Sequence, residues 1–209
     1  SDEPMLVLPA DHIVKDGQAF ASAVRSGADL ARQGHLVTFA ITPTSPATGY
    51  GYLKIGAPID SALQQYRLEA FVEKPDLARA EGFLAAGGYA WNSGMFMFRP
   101  SVLIGAFEQF QPEILAACRA ALAAARPGPV MKLEPQSFAA APSISIDYAI
   151  MEKAPNVATV VADLGWSDVG DWQAIWEIAA RDADGNAVRG NAQSVGSRGS
   201  LMQSDGPLV

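Results

Sequence analysis

Two periods of apolar spacing alternate along this chain. Met5-Leu6-Val7-Leu8 is a short unbroken apolar run, the pattern of a buried strand. Over residues 18–32 the spacing becomes helical. Phe20, Val24, Ala28 and Ala31 fall on one face, and Gly34 follows as a stop signal. Residues 36–41 return to a continuous apolar run rich in β formers. Strand, helix and strand in that order predict a βαβ unit and a parallel sheet. A Thr-, Pro- and Ser-rich loop over 42–49 leads to predicted strands over 50–55 and 66–72. A helix is expected from Asp76 to Ala86, capped near Asp76 and ended by Gly87-Gly88. Beyond it the pattern predicts a strand over 95–98, helices over 101–110, 112–125 and 145–154, and a strand over 157–161. A last helix spans 171–180, with Trp172, Ile175, Trp176 and Ala179 on its apolar face. From Asp182 onward Asp, Gly, Asn and Ser crowd the chain. Residues 185–191 fit either a first β-helical or hairpin turn or a linker.

Several polar residues stand where these elements end. Asp11 follows the first strand in Leu8-Pro9-Ala10-Asp11-His12. Asp168 lies at a strand-to-helix junction in Trp166-Ser167-Asp168-Val169-Gly170-Asp171-Trp172. An Asp in such a place is ordinarily a turn or cap residue, but ligands of open α/β sheets bind at the carboxyl ends of strands. Asp171 adjoins the helical run and is the better cap, which leaves Asp168 as the metal candidate. Mg²⁺ is typically held by one or two protein carboxylates, with substrate phosphates supplying further oxygens. Glu73-Lys74-Pro75 closes a strand. As a bare tripeptide it reads as a surface ion pair. As a site, the carboxylate accepts from vicinal sugar hydroxyls while the ammonium meets a phosphate. Asn92-Ser93-Gly94 reads as a turn, or as an amide that both donates to and accepts from a sugar hydroxyl. In Tyr50-Gly51-Tyr52, Gly51 either serves a hairpin edge or lets a ligand approach the backbone. His12 is open between a structural role and support for Asp11, and His35 is expected to face solvent. No Walker loop, G-x-G-x-x-G or Ser-His-Asp arrangement is present.

At 209 residues the chain holds one sizeable domain with room for a small appendage. Its net charge of -7 argues against non-specific binding to nucleic acid or anionic membranes. It does not argue against a nucleotide substrate, because a bound metal supplies local positive charge. Cys118 is the only cysteine, so no internal disulfide forms, and its Ala-rich helical setting predicts a buried, inert thiol. No apolar run approaches membrane-spanning length and residues 1–4 carry no signal-peptide core, so a cytoplasmic setting is expected. With no initiator Met and an apparent core strand at its start, the chain is expected to be a fragment.

Taken together, Leu8-Pro9-Ala10-Asp11-His12, Gly49-Tyr50-Gly51-Tyr52, Phe71-Val72-Glu73-Lys74-Pro75, Asn92-Ser93-Gly94-Met95-Phe96 and Trp166 to Trp172 resemble bacterial mannose-1-phosphate guanylyltransferases. That family includes longer forms with a mannose-6-phosphate isomerase domain. The resemblance implies an α/β, Rossmann-like nucleotidyltransferase fold with a mixed, largely parallel sheet. Residues 1–181 would form a partial nucleotidyltransferase domain, and 182–209 a linker or the start of a β-rich module. It implies GTP and mannose 1-phosphate as substrates and GDP-mannose as product. It also implies Asp11 and Asp168 as catalytic Mg²⁺ ligands, and Gly51, Glu73, Lys74 and Asn92 as substrate contacts in one cleft beside them. The family's glycine-rich triphosphate loop and the isomerase domain do not occur in this sequence. The chain alone is therefore expected to be inactive and to leave Val7 and Phe39 uncovered, favouring a homo-oligomer. Two alternatives are a non-catalytic sugar-phosphate-binding remnant and a sibling sugar-1-phosphate nucleotidyltransferase.

Overall fold

The apolar run at Leu36–Ile41 is buried at every position, as a strand covered on both faces must be. In the computed structural model, which describes residues 2–208, it is the third of ten strands. In order, the elements are β1 (Met5–Val7), β2 (Ile13–Val14), α1 (Gly17–Arg32), β3 (Leu36–Ile41), β4 (Tyr52–Asp60) and β5 (Gln65–Val72). Next come α2 (Leu77–Ala86), β6 (Tyr89–Phe98), α3 (Pro100–Phe110), α4 (Pro112–Ala123), α5 (Pro135–Ala139) and a π-helical turn (Asp147–Met151). The chain continues through β7 (Val157–Val161), β8 (Trp166–Ser167), α6 (Trp172–Ile178), β9 (Ala187–Gly190) and β10 (Leu201–Ser204). These elements group into two units, one of residues up to Pro9 with Asp16–Leu164, the other of Ala10–Lys15 with residues from Gly165 onward.

The first unit holds a six-stranded mixed sheet in the order β1-β6-β3-β7-β5-β4, with β4 also bonded to β6. β3 and β7 pair in parallel. The other pairs are antiparallel. β1 and β3 both oppose β6, so they run in the same direction as the predicted βαβ unit requires, but β6 lies between them. α1 is capped by Asp16, whose carboxylate accepts from the Gln18 and Ala19 N–H groups. It packs closely on β3, because a Cβ at Gly27 would lie 2.9 Å from the Phe39 ring. Phe39 is therefore fully buried, contrary to the expectation that it lies uncovered. Val7 does lie open. β1 pairs with β6 on one side, and Val7 is 45% exposed, so β1 is an edge strand and not a buried one. Leu36, Ala40, Leu53, Phe71, Phe96 and Phe98 pack with Ile150 and Met151 into a continuous core.

Two elements differ from their expected form in ways that matter below. β6 begins six residues before residue 95, so Trp91 to Gly94 is strand and not a turn before one. The expected helix over 145–154 is a five-residue π-helical turn with flanking turns. In the second unit β2 pairs antiparallel with β8, and β9 pairs parallel with β10. Asn186 is buried there, with Nδ2 2.9 Å from the Ser197 carbonyl and Oδ1 accepting from the Ser200 N–H. Among the described residues no helix is long and apolar enough to cross a membrane.

Candidate functional site

Strand register assembles one group of polar residues in the first unit. Tyr52 of β4 pairs with Val72 of β5 and with Trp91 of β6. The residues one step along, Gly51, Glu73 and Asn92, therefore lie abreast across three strands. The Asn92 N–H donates to the Gly51 carbonyl at 2.7 Å. A Cβ at Gly51 would stand 2.6 Å from Glu73 Oε2 and 3.4 Å from Asn92 Cβ. Close approach, and not an unusual φ, is what requires glycine here. Lys74 turns the chain out of β5 at φ +45°, in the left-handed region. Such strain in a residue with a side chain is concentrated at functional sites. Its ammonium stands 3.8 Å from Glu73 Oε1 and is largely exposed, whereas the Glu73 side chain is 10% exposed.

Asn92 owes its aim to an irregularity in β6. Its register with β3 shifts between the pairs Thr38–Phe96 and Ala40–Asn92, so residues 93–95 oppose Phe39 alone. Gly94 lies in that bulge at φ +71°. The Asn92 amide is held at both ends. Thr38 Oγ1 donates to Oδ1 at 2.6 Å, and Nδ2 donates to Asp147 Oδ1 at 3.2 Å. Asp147 comes from the π-helical turn, a conformation frequent at functional sites. Glu152 follows that turn and accepts from the Glu73 N–H at 3.0 Å.

Three carboxylates thus share the surroundings of one ammonium. Burial, then the neighbouring Asp147 charge, push the Glu73 carboxyl above its usual range. Lys74 opposes this and Glu152 adds to it. Burial is also the main reason that Asp147 is raised, against its hydrogen bonds to its own backbone and to Ser145. A half-desolvated carboxylate beside a fixed amide and a close glycine suits the hydroxyls of a sugar, and the exposed Lys74 ammonium suits a phosphate.

The second unit places Asp11 and Asp168. In the β2–β8 ladder Ile13 pairs with Ser167. Asp168 follows Ser167 directly and Asp11 lies two residues before Ile13, so the ladder delivers both to the same end. The Gly170 N–H donates to Asp168 Oδ1 at 3.2 Å. A Cβ at Gly170 would meet Asp168 Oδ2 at 2.9 Å. Asp171 caps α6 through the Ala174 N–H at 2.7 Å, as expected. Trp166 Nε1 donates to His12 Nδ1 at 3.2 Å, which gives His12 a structural bond. His35 is half-buried against the Asn156 carbonyl and does not simply face solvent. Among the described residues no group of three or more His, Cys, Asp or Glu is arranged to hold a metal by itself. In chemical type, two carboxylates with phosphate oxygens completing the shell are what Mg²⁺ accepts.

Three residues of the first group were not foreseen from sequence. Thr38 is the one hydroxyl in the apolar run 36–41, and Asp147 interrupts the apolar stretch Ile146 to Met151. A polar residue inside a core run is the signal for both. Glu152 carried no such mark.

The fold is that of a nucleotidyltransferase. The nucleotidyl transferase family model matches residues 1–185, and the chain belongs to that family. It is similar to the mannose-1-phosphate guanylyltransferase of Klebsiella pneumoniae, with 46% identity over all of this chain and 45% of the relative. It is similar also to the xanthan biosynthesis protein XanB of Xanthomonas campestris pv. campestris strain B100, with 47% identity over 91% of this chain and 40% of the relative. A crystal structure from Thermus thermophilus, described as a mannose-1-phosphate geranyltransferase, superposes with a TM-score of 0.85 at 34% identity. That match covers 99% of this chain and 59% of the other. The chain thus spans under half the length of these curated relatives.

Proposed function

We propose that this chain forms the sugar-phosphate and metal-binding part of a mannose-1-phosphate guanylyltransferase. In that reaction an oxygen of mannose 1-phosphate attacks the α-phosphorus of GTP. The bond to the β-phosphate breaks, pyrophosphate leaves and GDP-mannose forms. The observation that carries the reading is the alignment of Gly51, Glu73 and Asn92 across three strands, with Lys74 beside them. Glu73 accepts from mannose hydroxyls, Asn92 donates and accepts, the Gly51 backbone meets the ring closely, and Lys74 meets the phosphate. Asp11 and Asp168 would hold Mg²⁺, which when bound would neutralise phosphate charge. The chain's own contribution is positioning and charge complementarity, which is most of what phosphoryl-type transfer needs. The setting is cytoplasmic and the product serves polysaccharide synthesis.

Calorimetric titration of mannose 1-phosphate, with Mg²⁺ present, tests this on the wild-type chain and on Glu73→Ala and Asn92→Ala. Removing one buried hydrogen-bonding partner costs about 1–3 kcal/mol, so each variant should bind roughly 5- to 150-fold more weakly. Equal affinity in all three proteins would overturn the assignment of the sugar site.

A further inference from the structure

Neither side of the Asn92 amide is left to chance. A primary amide offers two N–H donors and two oxygen lone pairs. Thr38 Oγ1 takes one lone pair at 2.6 Å and Asp147 Oδ1 takes one N–H at 3.2 Å. The two partners are complementary. An ionised carboxylate accepts only, so a flipped amide would set oxygen against oxygen at Asp147. Thr38 is fully buried in β3, so the bulge in β6 must bring Asn92 to it. What remains is one donor and one acceptor on one side chain at a fixed angle. Such a pair matches adjacent hydroxyls, one accepting and one donating.

We propose that Thr38 and Asp147 are positioning residues for sugar recognition, acting through Asn92 to lock its amide in the single orientation that reads a vicinal diol. This rests on the sugar-site reading above. Both residues lie within the first unit, and neither needs to touch the ligand. The lock explains why a hydroxyl stands in an otherwise apolar central strand and why a carboxylate is held in the half-buried π-helical turn. Ordering the amide beforehand spares the ligand from doing so on arrival, which is how preorganisation raises affinity.

The test combines binding with a direct view of the amide. In wild-type protein the Nδ2 proton held by Asp147 should give an NMR signal displaced from that of a solvated amide, and mannose 1-phosphate should move chiefly the other Nδ2 proton. Thr38→Val keeps the shape and removes the donor. It should weaken mannose 1-phosphate binding about tenfold and move both Nδ2 signals toward the positions of a solvated amide, and Thr38→Ser should restore both. Asp147→Asn introduces a group that can donate as well as accept. It should permit the flipped amide and give a similar loss, with melting curves confirming that both variants are folded. If Asn92→Ala binds weakly while Thr38→Val and Asp147→Asn bind like wild type with unchanged Asn92 signals, the sugar site stands and the lock is overturned. If Asn92→Ala itself binds like wild type, the sugar-site reading fails first and takes the lock with it.

Discussion

At the scale of single residues, burial acts on two carboxyls of the candidate site. Glu73 and Asp147 both hold their protons more tightly in the folded chain than a solvated carboxyl would. Each therefore binds more protons folded than unfolded just above the ordinary carboxyl range. Their contribution favours folding below that range and is lost as pH rises through the raised values. Glu73→Gln should accordingly raise the melting temperature at pH 7 and leave it nearly unchanged at pH 4. A fall at pH 7 would contradict the desolvation account. Lys74 allows a complementary substitution, because its φ of +45° suits glycine better than lysine. Lys74→Gly should retain or slightly gain stability while mannose 1-phosphate binds about tenfold more weakly, the scale of one charge-assisted hydrogen bond. Parallel melting and titration of that variant would separate the two effects. Each of Glu73, Lys74, Asn92 and Gly51 carried a local mark in the sequence, the first two as charges where a strand ends, Asn92 as an amide in an apparent turn and Gly51 as a glycine between two tyrosines. Their company was not. Asp147 and Thr38 reach Asn92 from 55 and 54 residues away, and no local pattern encodes that meeting.

At the scale of elements, the periodic segments were the readable ones. Residues 36–41 and 157–161 have the predicted bounds, and α1 differs from its predicted start by one residue. The readings that changed are those in which tertiary pairing decides the outcome. The start of β6 looks like a turn because Asn, Ser and Gly favour turns, yet β3 and β4 flank it and keep it extended. β2 and β8 are two-residue strands, too short for any period. The bulge in β6 is where local and long-range requirements meet. Gly94→Ala would force a Cβ into the left-handed region at φ +71°. It should cost about 1 kcal/mol or more of stability and weaken sugar binding together, since the same bulge aims Asn92. Losing stability with full affinity would show that the bulge and the site are independent. The cap of α1 is a control away from the site, and Asp16→Ala should cost about 1 kcal/mol without altering affinity.

At the scale of the whole molecule, β1 is an edge strand, with its Met5 and Val7 and the following Leu8 each near half exposed. Open apolar edges invite pairing between copies. The chain should elute on a sizing column above its monomer mass, and Val7→Lys should shift it toward monomer. A clean wild-type monomer would contradict this. The central claim, that Gly51, Glu73, Lys74 and Asn92 form a mannose 1-phosphate site, is tested most directly by a crystal structure of the chain grown with that sugar phosphate. The account predicts mannose hydroxyls on the Glu73 carboxylate and the Asn92 amide, the ring against Gly51 and the phosphate toward Lys74. A well-ordered sugar phosphate bound elsewhere on the chain, with these four residues untouched, would contradict it.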